Sequence, residues 1–148
     1  MPEFESSHDA TKSFHPSVKR LAEVSQIDFE LGFFASILRR EPAFADVLRC
    51  QAELLSRKGL HEQALELDRR LILLRPVDSV IRYNLACSLA SNGLLSESMS
   101  ELRLAVELGY HDLEHLLSDP DLDALRDLPD YQALLRQLNL TVEAADEG

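Results

Sequence analysis

The sequence predicts an all-α fold, a solenoid of stacked antiparallel helix pairs. Three observations support this prediction: two stretches repeat at a spacing of 34 residues, apolar residues recur at helical intervals, and Gly or Pro stands where helices should end. A unit of this length cannot bury its apolar face alone, so neighbouring units must stack and leave a concave surface. The repeated pairs are Ala52 and Ala86, Leu55 and Leu89, Gly59 and Gly93, Leu60 and Leu94, and Ile72 and Val106.

Residues 14–42, which precede the clear repeats, are expected to form two helices. Pro16 suits the first turn of a helix that runs to about residue 26. Asp28 is a suitable N-cap for a second helix, because its carboxylate can accept hydrogen bonds from free backbone N–H groups. Pro42 should stop that helix.

Each of the two clear repeats predicts one further pair of helices. Asp78 and Ser96 are expected to be N-caps. Gly59, Gly93 and Gly109 are expected to end helices in the left-handed conformation. The predicted helices span residues 43–58 and 62–75 in the repeat 43–76, and residues 78–92 and 96–108 in the repeat 77–110.

The 34-residue period breaks after the second repeat, and residues 111–138 are expected to cap the stack. Pro120 and Pro129 suit the first turns of two short helices there. The cap completes one domain over residues 14–138. The predicted cap helices span residues 112–117, 121–126 and 130–138, and the polar segments 1–13 and 139–148 are predicted to be flexible or disordered tails.

The acidic composition of the chain argues against some classes of binding partner. A net charge of −11 argues against nucleic acid and against anionic membrane surfaces, because both need clustered Lys and Arg. No apolar run is long enough to span a membrane. The start of the chain lacks the features of a secretory signal, and two cysteines are too few for a disulfide framework. We therefore expect a cytoplasmic protein.

The two repeats resemble tetratricopeptide repeats in their small residues, turns and closing positions. Residues 14–42 resemble a degenerate first repeat, and residues 112–138 resemble the closing segment that follows such repeats in many bacterial proteins. The resemblance implies a right-handed superhelix of about three repeats, whose concave side is lined by the first helix of each unit. The matching residues are Ala52, Leu55, Gly59, Ala64 and Pro76 in the first repeat, and Ala86, Leu89, Gly93 and Ser98 in the second, where Tyr110 replaces the closing Pro.

The resemblance also implies a binding groove on the polar side of those first helices. A peptide or helix of a protein partner would lie in it. The side chains of Tyr83 and Arg49 are expected to point away from the core into this groove, whereas Cys50 and Cys87 are expected to be small residues of the groove or of the core. The alternative is that these positions are plain solvated helix faces. The predicted groove residues are Asp46, Arg49, Cys50, Glu53 and Arg57 in one unit, and Val80, Tyr83, Asn84, Cys87 and Ser91 in the next.

Recognition of a C-terminal carboxylate, a mode that some members of the family use, fits this sequence poorly. Only Arg49 and Asn84 match the Lys, Arg and Asn residues of that mode. Glu53, Glu114 and Ser118 stand at positions where Asn or basic residues would be needed. Acidic residues there would repel a carboxylate.

One short pattern permits a different hypothesis. His111, Glu114 and His115 match H-x-x-E-H, in which two histidines on one helix turn bind zinc for hydrolysis. The pattern is short, and little chain follows it to supply a third ligand. A capped helix start, with Asp112 as the cap, explains the same residues, so we expect neither an enzyme nor a metal or cofactor.

The sequence therefore predicts a noncatalytic protein-interaction module, such as an adaptor, an assembly factor or a chaperone. A chaperone for one dedicated secreted partner and the metal-dependent hydrolase are the alternatives. Residues 112–148 carry ten acidic and two basic side chains, so an acidic cap could attract a basic partner instead of merely keeping the protein soluble. The identity of the partner and the oligomeric state are left open.

Overall fold

The protein is all-α, as the sequence predicts. The structure is a computed structural model that describes the backbone of residues 16–147, with side chains for residues 26–139 and 146–147. The predicted tail 1–13 lies outside the described residues. None of the described helices is both long and apolar enough to cross a membrane. The helices are α1 (Pro16–Arg40), α2 (Ala45–Arg57), α3 (His61–Leu74), α4 (Ser79–Ser91), α5 (Leu95–Glu107), α6 (Leu113–Ser118), a 3₁₀ helix (Pro120–Leu125) and α7 (Pro129–Asp146).

Most of the predicted helix ends are confirmed. Gly59, Gly93 and Gly109 have φ angles of 84°, 76° and 107°, a region that only glycine occupies at little cost. The Asp78 side chain accepts hydrogen bonds from the backbone N–H groups of residues 80 and 81 at the start of α4. The Asp112 side chain caps α6 in the same way.

The prediction of two helices within residues 14–42 is wrong, because α1 is one continuous helix. No Gly or Pro lies between Pro16 and Gly32, so the backbone hydrogen-bond ladder continues through Asp28. The Asp28 carboxylate forms an ion pair with Lys58, at the end of α2, instead of capping a helix. The stretch predicted as a degenerate repeat is therefore not a helix–turn–helix unit.

Two other predicted boundaries are also wrong. α5 starts at Leu95, and its N-cap residue Leu94 forms no side-chain cap, so Ser96 lies inside the helix. α7 continues to Asp146 although residues 139–148 were predicted to be disordered. Those residues contain no Gly or Pro before the final residue, so nothing in the backbone stops the helix.

The position of α4 organises the packing. Eight of its thirteen residues are buried, on more than one side of the helix. Ile81 packs into one apolar cluster with α2 and α3. Tyr83, Ala86 and Ala90 pack into a second cluster with α5 and with the C-terminal segment, which consists of α6, the 3₁₀ helix and α7. A helix that buries residues on more than one side must lie between other elements, and α4 contacts α3, α5 and the 3₁₀ helix.

Small residues let α4 and α5 approach closely. Ala86 and Ser98 are fully buried, and the Ser98 hydroxyl donates a hydrogen bond of 2.6 Å to the backbone oxygen of Ala86. A serine can occupy this small-residue position because its hydroxyl finds a carbonyl acceptor on the facing helix, which removes the cost of burying it unpaired.

The C-terminal segment covers the apolar side of α5. Leu102 and Ala105 of α5 are completely buried in the same cluster as apolar residues from α6, the 3₁₀ helix and α7. The Tyr131 hydroxyl donates to the backbone oxygen of Leu116, which fixes α7 against α6. The covering residues are Leu116, Leu122, Leu125, Tyr131, Leu134 and Leu138.

This packing predicts that the fold depends on the C-terminal segment. Leu122→Ala should lower the free energy of unfolding by about 2–5 kcal/mol, because Leu122 is fully buried and its removal leaves a cavity. Urea unfolding followed by circular dichroism measures this change. Leu117→Ala is the matched control, since Leu117 is 49% exposed and should cost less than about 0.5 kcal/mol. Equal effects of the two substitutions would contradict the packing.

Candidate functional site

The first helices of the two repeats and the C-terminal segment enclose one cleft of about 440 Å³. This volume lies within the range of ordinary ligand sites in proteins. α2 supplies one wall, α4 supplies the facing wall, and α6 and the 3₁₀ helix close one end. The lining residues are Arg49, Cys50, Ala52, Glu53, Ser56, Arg57, Asp68, Tyr83, Asn84, Cys87, Ser88, His115, Asp119 and Asp121.

The cleft brings together most of the predicted groove residues. Three of them do not line it: Asp46, Val80 and Ser91. The Asp46 carboxylate lies 3.9 Å from the Arg75 guanidinium, beside a separate depression. Val80 is exposed elsewhere on the surface, and Ser91 is half-buried at the end of α4. The residues that do line it are Arg49, Cys50, Glu53, Arg57, Tyr83, Asn84 and Cys87.

Two of these residues belong to the core. For Tyr83 this contradicts the expectation that its side chain points away from the core, whereas Cys87 was expected in either the groove or the core. Tyr83 is 2% exposed, and Cys87 is also buried. The Tyr83 ring stacks on Tyr110 with centroids 4.2 Å apart and planes 6° from parallel. Tyr110 directly follows Gly109 after α5, so an aromatic partner is available for the Tyr83 ring in the core.

The floor of the cleft is a hydrogen-bond network around Asp119. The Tyr83 hydroxyl donates to Asp119 Oδ2 at 2.6 Å, and the Cys87 thiol donates to the same oxygen at 3.5 Å. The His115 Nε2 atom lies 3.5 Å from that oxygen. The backbone N–H of Asp121 donates to Asp119 Oδ1 at 3.0 Å. Both carboxylate oxygens are therefore occupied, and Asp119 fixes the C-terminal segment to α4.

Burial determines the protonation of this network. It raises the pKa of the Tyr83 phenol and of the Cys87 thiol, and the nearby Asp119 carboxylate acts in the same direction. Both groups stay protonated near neutral pH and serve as donors to Asp119. A nucleophilic cysteine needs a lowered pKa, so Cys87 has the opposite of the environment that such chemistry requires.

Asp68 of α3 is a second buried carboxylate in the cleft. It is 4% exposed, and its Oδ2 atom accepts a hydrogen bond from the Ser88 hydroxyl. Oδ1 accepts no hydrogen bond from any described residue, and no described cation forms an ion pair with Asp68. Burial raises the pKa of Asp68 to about 6, and the bond from Ser88 opposes this shift.

The rim of the cleft is polar, and its side chains have no hydrogen-bond partners among the described residues. Arg49, Arg57 and Asn84 line the opening, and none of them forms a hydrogen bond or ion pair with another described residue. Cys50 and Glu53 are exposed beside them. These groups keep their donors and acceptors for an external ligand, in contrast to the occupied donors of the floor.

The structure does not form the helix turn on which the zinc hypothesis depends. His111 precedes α6, and its Nδ1 atom lies 2.8 Å from the backbone oxygen of Gly109. His115 is directed towards Asp119 and Tyr83, with its ring 5.6 Å from the Tyr83 ring. The two histidines therefore do not share one turn of a helix, because Asp112 caps α6 after His111.

Another group of possible metal ligands lies in the floor. Cys87, Asp119 and Asp121 each place one ligand atom within 4.8 Å of the others. Asp119 is already bonded to Tyr83, and the raised pKa of Cys87 opposes formation of the thiolate that would bind a metal. The group is explained by hydrogen bonding alone.

Sequence reasoning missed seven residues of the cleft, of which Asp68, His115, Asp119 and Asp121 have titratable side chains. Asp68 belongs to a second helix of a repeat, where the resemblance predicts no groove residue, and a charged residue on a helix ordinarily faces solvent. His115, Asp119 and Asp121 belong to the C-terminal segment, which the sequence assigns only to capping. An Asp before a Pro signals a helix start, and nothing local shows that it reaches Tyr83 some 36 residues away.

Comparison with known proteins gives one partial relationship. No protein-family model matches the chain. The chain is similar to a chloroplastic protein of Arabidopsis thaliana, with 34% identity over 87 residues. The match covers 57% of this chain and 26% of that protein, so the chain matches only about a quarter of the relative's length.

The buried position of Tyr83 predicts a large effect on stability. Tyr83→Ala should lower the free energy of unfolding by about 3–5 kcal/mol, since it removes the stack on Tyr110 and a bond to Asp119. Tyr83→Phe keeps the stack and should cost about 1–2 kcal/mol. Urea unfolding measures both, with Asn84→Ala as the neighbouring control near zero. A loss below about 1 kcal/mol in Tyr83→Ala would mean that the side chain is exposed.

The raised pKa of Asp68 predicts that this residue lowers the free energy of unfolding by an amount that depends on pH. The folded state binds the proton more tightly than the unfolded chain, so the stabilising contribution of the protonated carboxyl is fully present below pH 3.8 and is lost as pH rises through about 6. Asp68→Asn should therefore be more stable than the wild type at pH 7.5, by up to about 3 kcal/mol. The difference should shrink towards zero near pH 4.

Urea unfolding of both proteins at several pH values measures this difference. Asp127→Asn, which removes an exposed carboxylate, is the matched control. A constant difference between Asp68→Asn and the wild type from pH 4 to 7.5 would show that Asp68 ionises normally.

Proposed function

We propose that this protein is a noncatalytic protein-binding module of the tetratricopeptide type, a solenoid that holds a peptide segment of a partner in the cleft between α2 and α4. It acts as an adaptor, an assembly factor or a chaperone. The observation that carries the proposal is that seven of the ten residues expected to bind, on the first helices of two successive repeats, line one cleft of about 440 Å³.

The chemistry of the rim supports a peptide as the ligand. Asn84 can both donate to and accept from a peptide backbone, as a main chain in extended or helical form requires. Arg49 and Arg57 offer guanidinium donors that have no described internal partner, and Arg is frequent among the residues that dominate binding energy.

The floor of the cleft is held by hydrogen bonds and the rim is not, which supports binding of a peptide without rearrangement of the cleft. Tyr83, Cys87 and Asp119 form a bonded and buried floor, which fixes the shape of the cleft before a partner arrives. Ordering of the binding surface on association is then limited to a few rim side chains, which reduces the entropic cost of binding. The network contains buried donors rather than an activated nucleophile, in agreement with a noncatalytic role.

The similarity to the chloroplastic protein of Arabidopsis thaliana covers too little of that protein to transfer a role.

The proposal predicts which surface captured proteins contact. The purified chain should be used to capture proteins from its source cell, in parallel with an Arg49→Glu/Arg57→Glu variant and a Glu66→Ala control on α3. All three residues are exposed, so the variants should fold alike. The double charge reversal should reduce capture of the specific partners at least tenfold, while Glu66→Ala should capture them as the wild type does. Quantitative mass spectrometry measures the ratios.

Cys50 provides a second test within the same cleft. It is exposed and lines the cleft, whereas Cys87 is buried, so a maleimide reagent should modify Cys50 selectively. A bulky maleimide at Cys50 should block the same partners that the charge reversal removes. Capture that survives both changes, and is instead lost on charge reversal of Asp123 and Asp127, would assign binding to the acidic C-terminal segment and refute the proposal.

A further inference from the structure

We propose that the cleft anchors a basic side chain of the bound peptide, a Lys or an Arg, whose cationic group pairs with Asp68. This inference rests on the proposed function, because it names the chemical class of the segment that enters the same cleft.

The incomplete bonding of Asp68 is the first argument. Its side chain is more than nine-tenths buried, yet only Oδ2 is bonded, to the Ser88 hydroxyl. A buried carboxylate is ordinarily paired with a cation or saturated by several donors, because leaving water is costly for the charged form. Asp68 has one neutral donor and lines the cleft, so Oδ1 is an open acceptor for a group that enters from outside.

Asp119, the other buried carboxylate of the cleft, differs from Asp68 in the number of its hydrogen-bond donors. Both carboxylates are buried in the same cleft, but Asp119 has the Tyr83 hydroxyl, the Cys87 thiol and the Asp121 backbone N–H as donors. Asp119 therefore has a structural role that needs no ligand. Asp68 has no comparable set of donors: burial raises its pKa, and the bond from Ser88 opposes that shift only in part.

The charges around Asp68 favour a cation as the missing partner. The cleft is lined by four carboxylates, Glu53, Asp68, Asp119 and Asp121. The opposing cations, Arg49 and Arg57, stand on α2 at the exposed rim. Asp68 and Asp119 are buried, whereas Glu53 and Asp121 are exposed. The deep part of the cleft therefore holds two carboxylates without a described Lys or Arg partner, so an entering ammonium or guanidinium group gains most there.

A long basic side chain suits the depth of the site. The charged end of a Lys or Arg sits on a flexible apolar stem, which lets it reach a buried carboxylate while the peptide backbone stays near the rim. Asn84, at the rim, is placed among the residues that such a backbone would contact. An Arg would donate two parallel hydrogen bonds, whereas a Lys would act as a point charge.

A random dodecamer peptide library displayed on phage provides the probe. Peptides that bind the wild-type chain should be enriched in Lys or Arg. The best peptide is then synthesised in three forms: unchanged, with its conserved basic residue replaced by Gln, and, if that residue is Lys, with an acetylated Nε. Isothermal titration calorimetry should show at least tenfold weaker binding of the changed forms to the wild-type protein.

The protein variants separate this anchor from general electrostatics. Asp68→Asn should bind the unchanged peptide at least tenfold more weakly, although it should be at least as stable as the wild type near neutral pH. Glu66→Gln, which removes an exposed carboxylate from the same helix, should bind within twofold of the wild type. In Asp68→Asn, the Gln form and the unchanged peptide should differ by less than twofold, since the two changes remove the same contact.

The results distinguish failure of the anchor from failure of the proposed function. Selected peptides that lose affinity for Arg49→Glu/Arg57→Glu but bind Asp68→Asn normally would overturn the anchor and leave the cleft as the binding site. Peptides indifferent to all cleft variants, or a library that yields no binding peptide, would count against both. A measured pKa of Asp68 that rises in Arg57→Ala would show that Arg57 already pairs with it, which would also overturn the anchor.

Discussion

The burial of α4 on more than one side is the constraint on which the rest of the structure depends. Its residues belong to both apolar clusters, so α2 and α3 must pack on one side of it and α5 with the C-terminal segment on the other. Close packing there is possible because Ala86 and Ser98 are small, and the Ser98 hydroxyl is satisfied by the Ala86 carbonyl oxygen. α3, α5 and the 3₁₀ helix pack directly against α4, and the cleft lies along it.

The same helix links structure to binding. Tyr83 contributes its ring to the core and its hydroxyl to Asp119, so one residue joins α4, the turn at Tyr110 and the C-terminal segment. The cleft is therefore bounded at one end by the segment that covers the apolar side of α5. Residues at different depths of the cleft have different roles. Donors of the floor are hydrogen-bonded to Asp119 and stabilise the fold, whereas Arg49 and Asn84 at the rim have no described internal partner and are free to bind a ligand. Asp68 is the exception, a deep charge that lowers stability.

Much of the site was predictable from the repeat. A spacing of 34 residues places equivalent residues of α2 and α4 on neighbouring helices, and Arg49, Glu53 and Asn84 do line one cleft. The repeat could not show that Tyr83 turns inward, because that depends on the stack with Tyr110 beyond the next helix. Nor could it indicate Asp68, since a polar residue of a second helix has the same local pattern whether it faces solvent or a cleft.

The sequence by itself determined the all-α class, the glycine-terminated helices and the Asp78 and Asp112 caps, because these depend on backbone conformation and on neighbours within one turn. Only the tertiary structure decided that α1 is continuous, with Asp28 paired to Lys58 instead of capping a helix. It alone brought Asp119 to Tyr83 and buried Asp68 behind Ser88. The physical reason is that the partners of a buried polar group come from distant parts of the chain. The free-energy cost of burying the group therefore depends on which partners the tertiary structure places beside it.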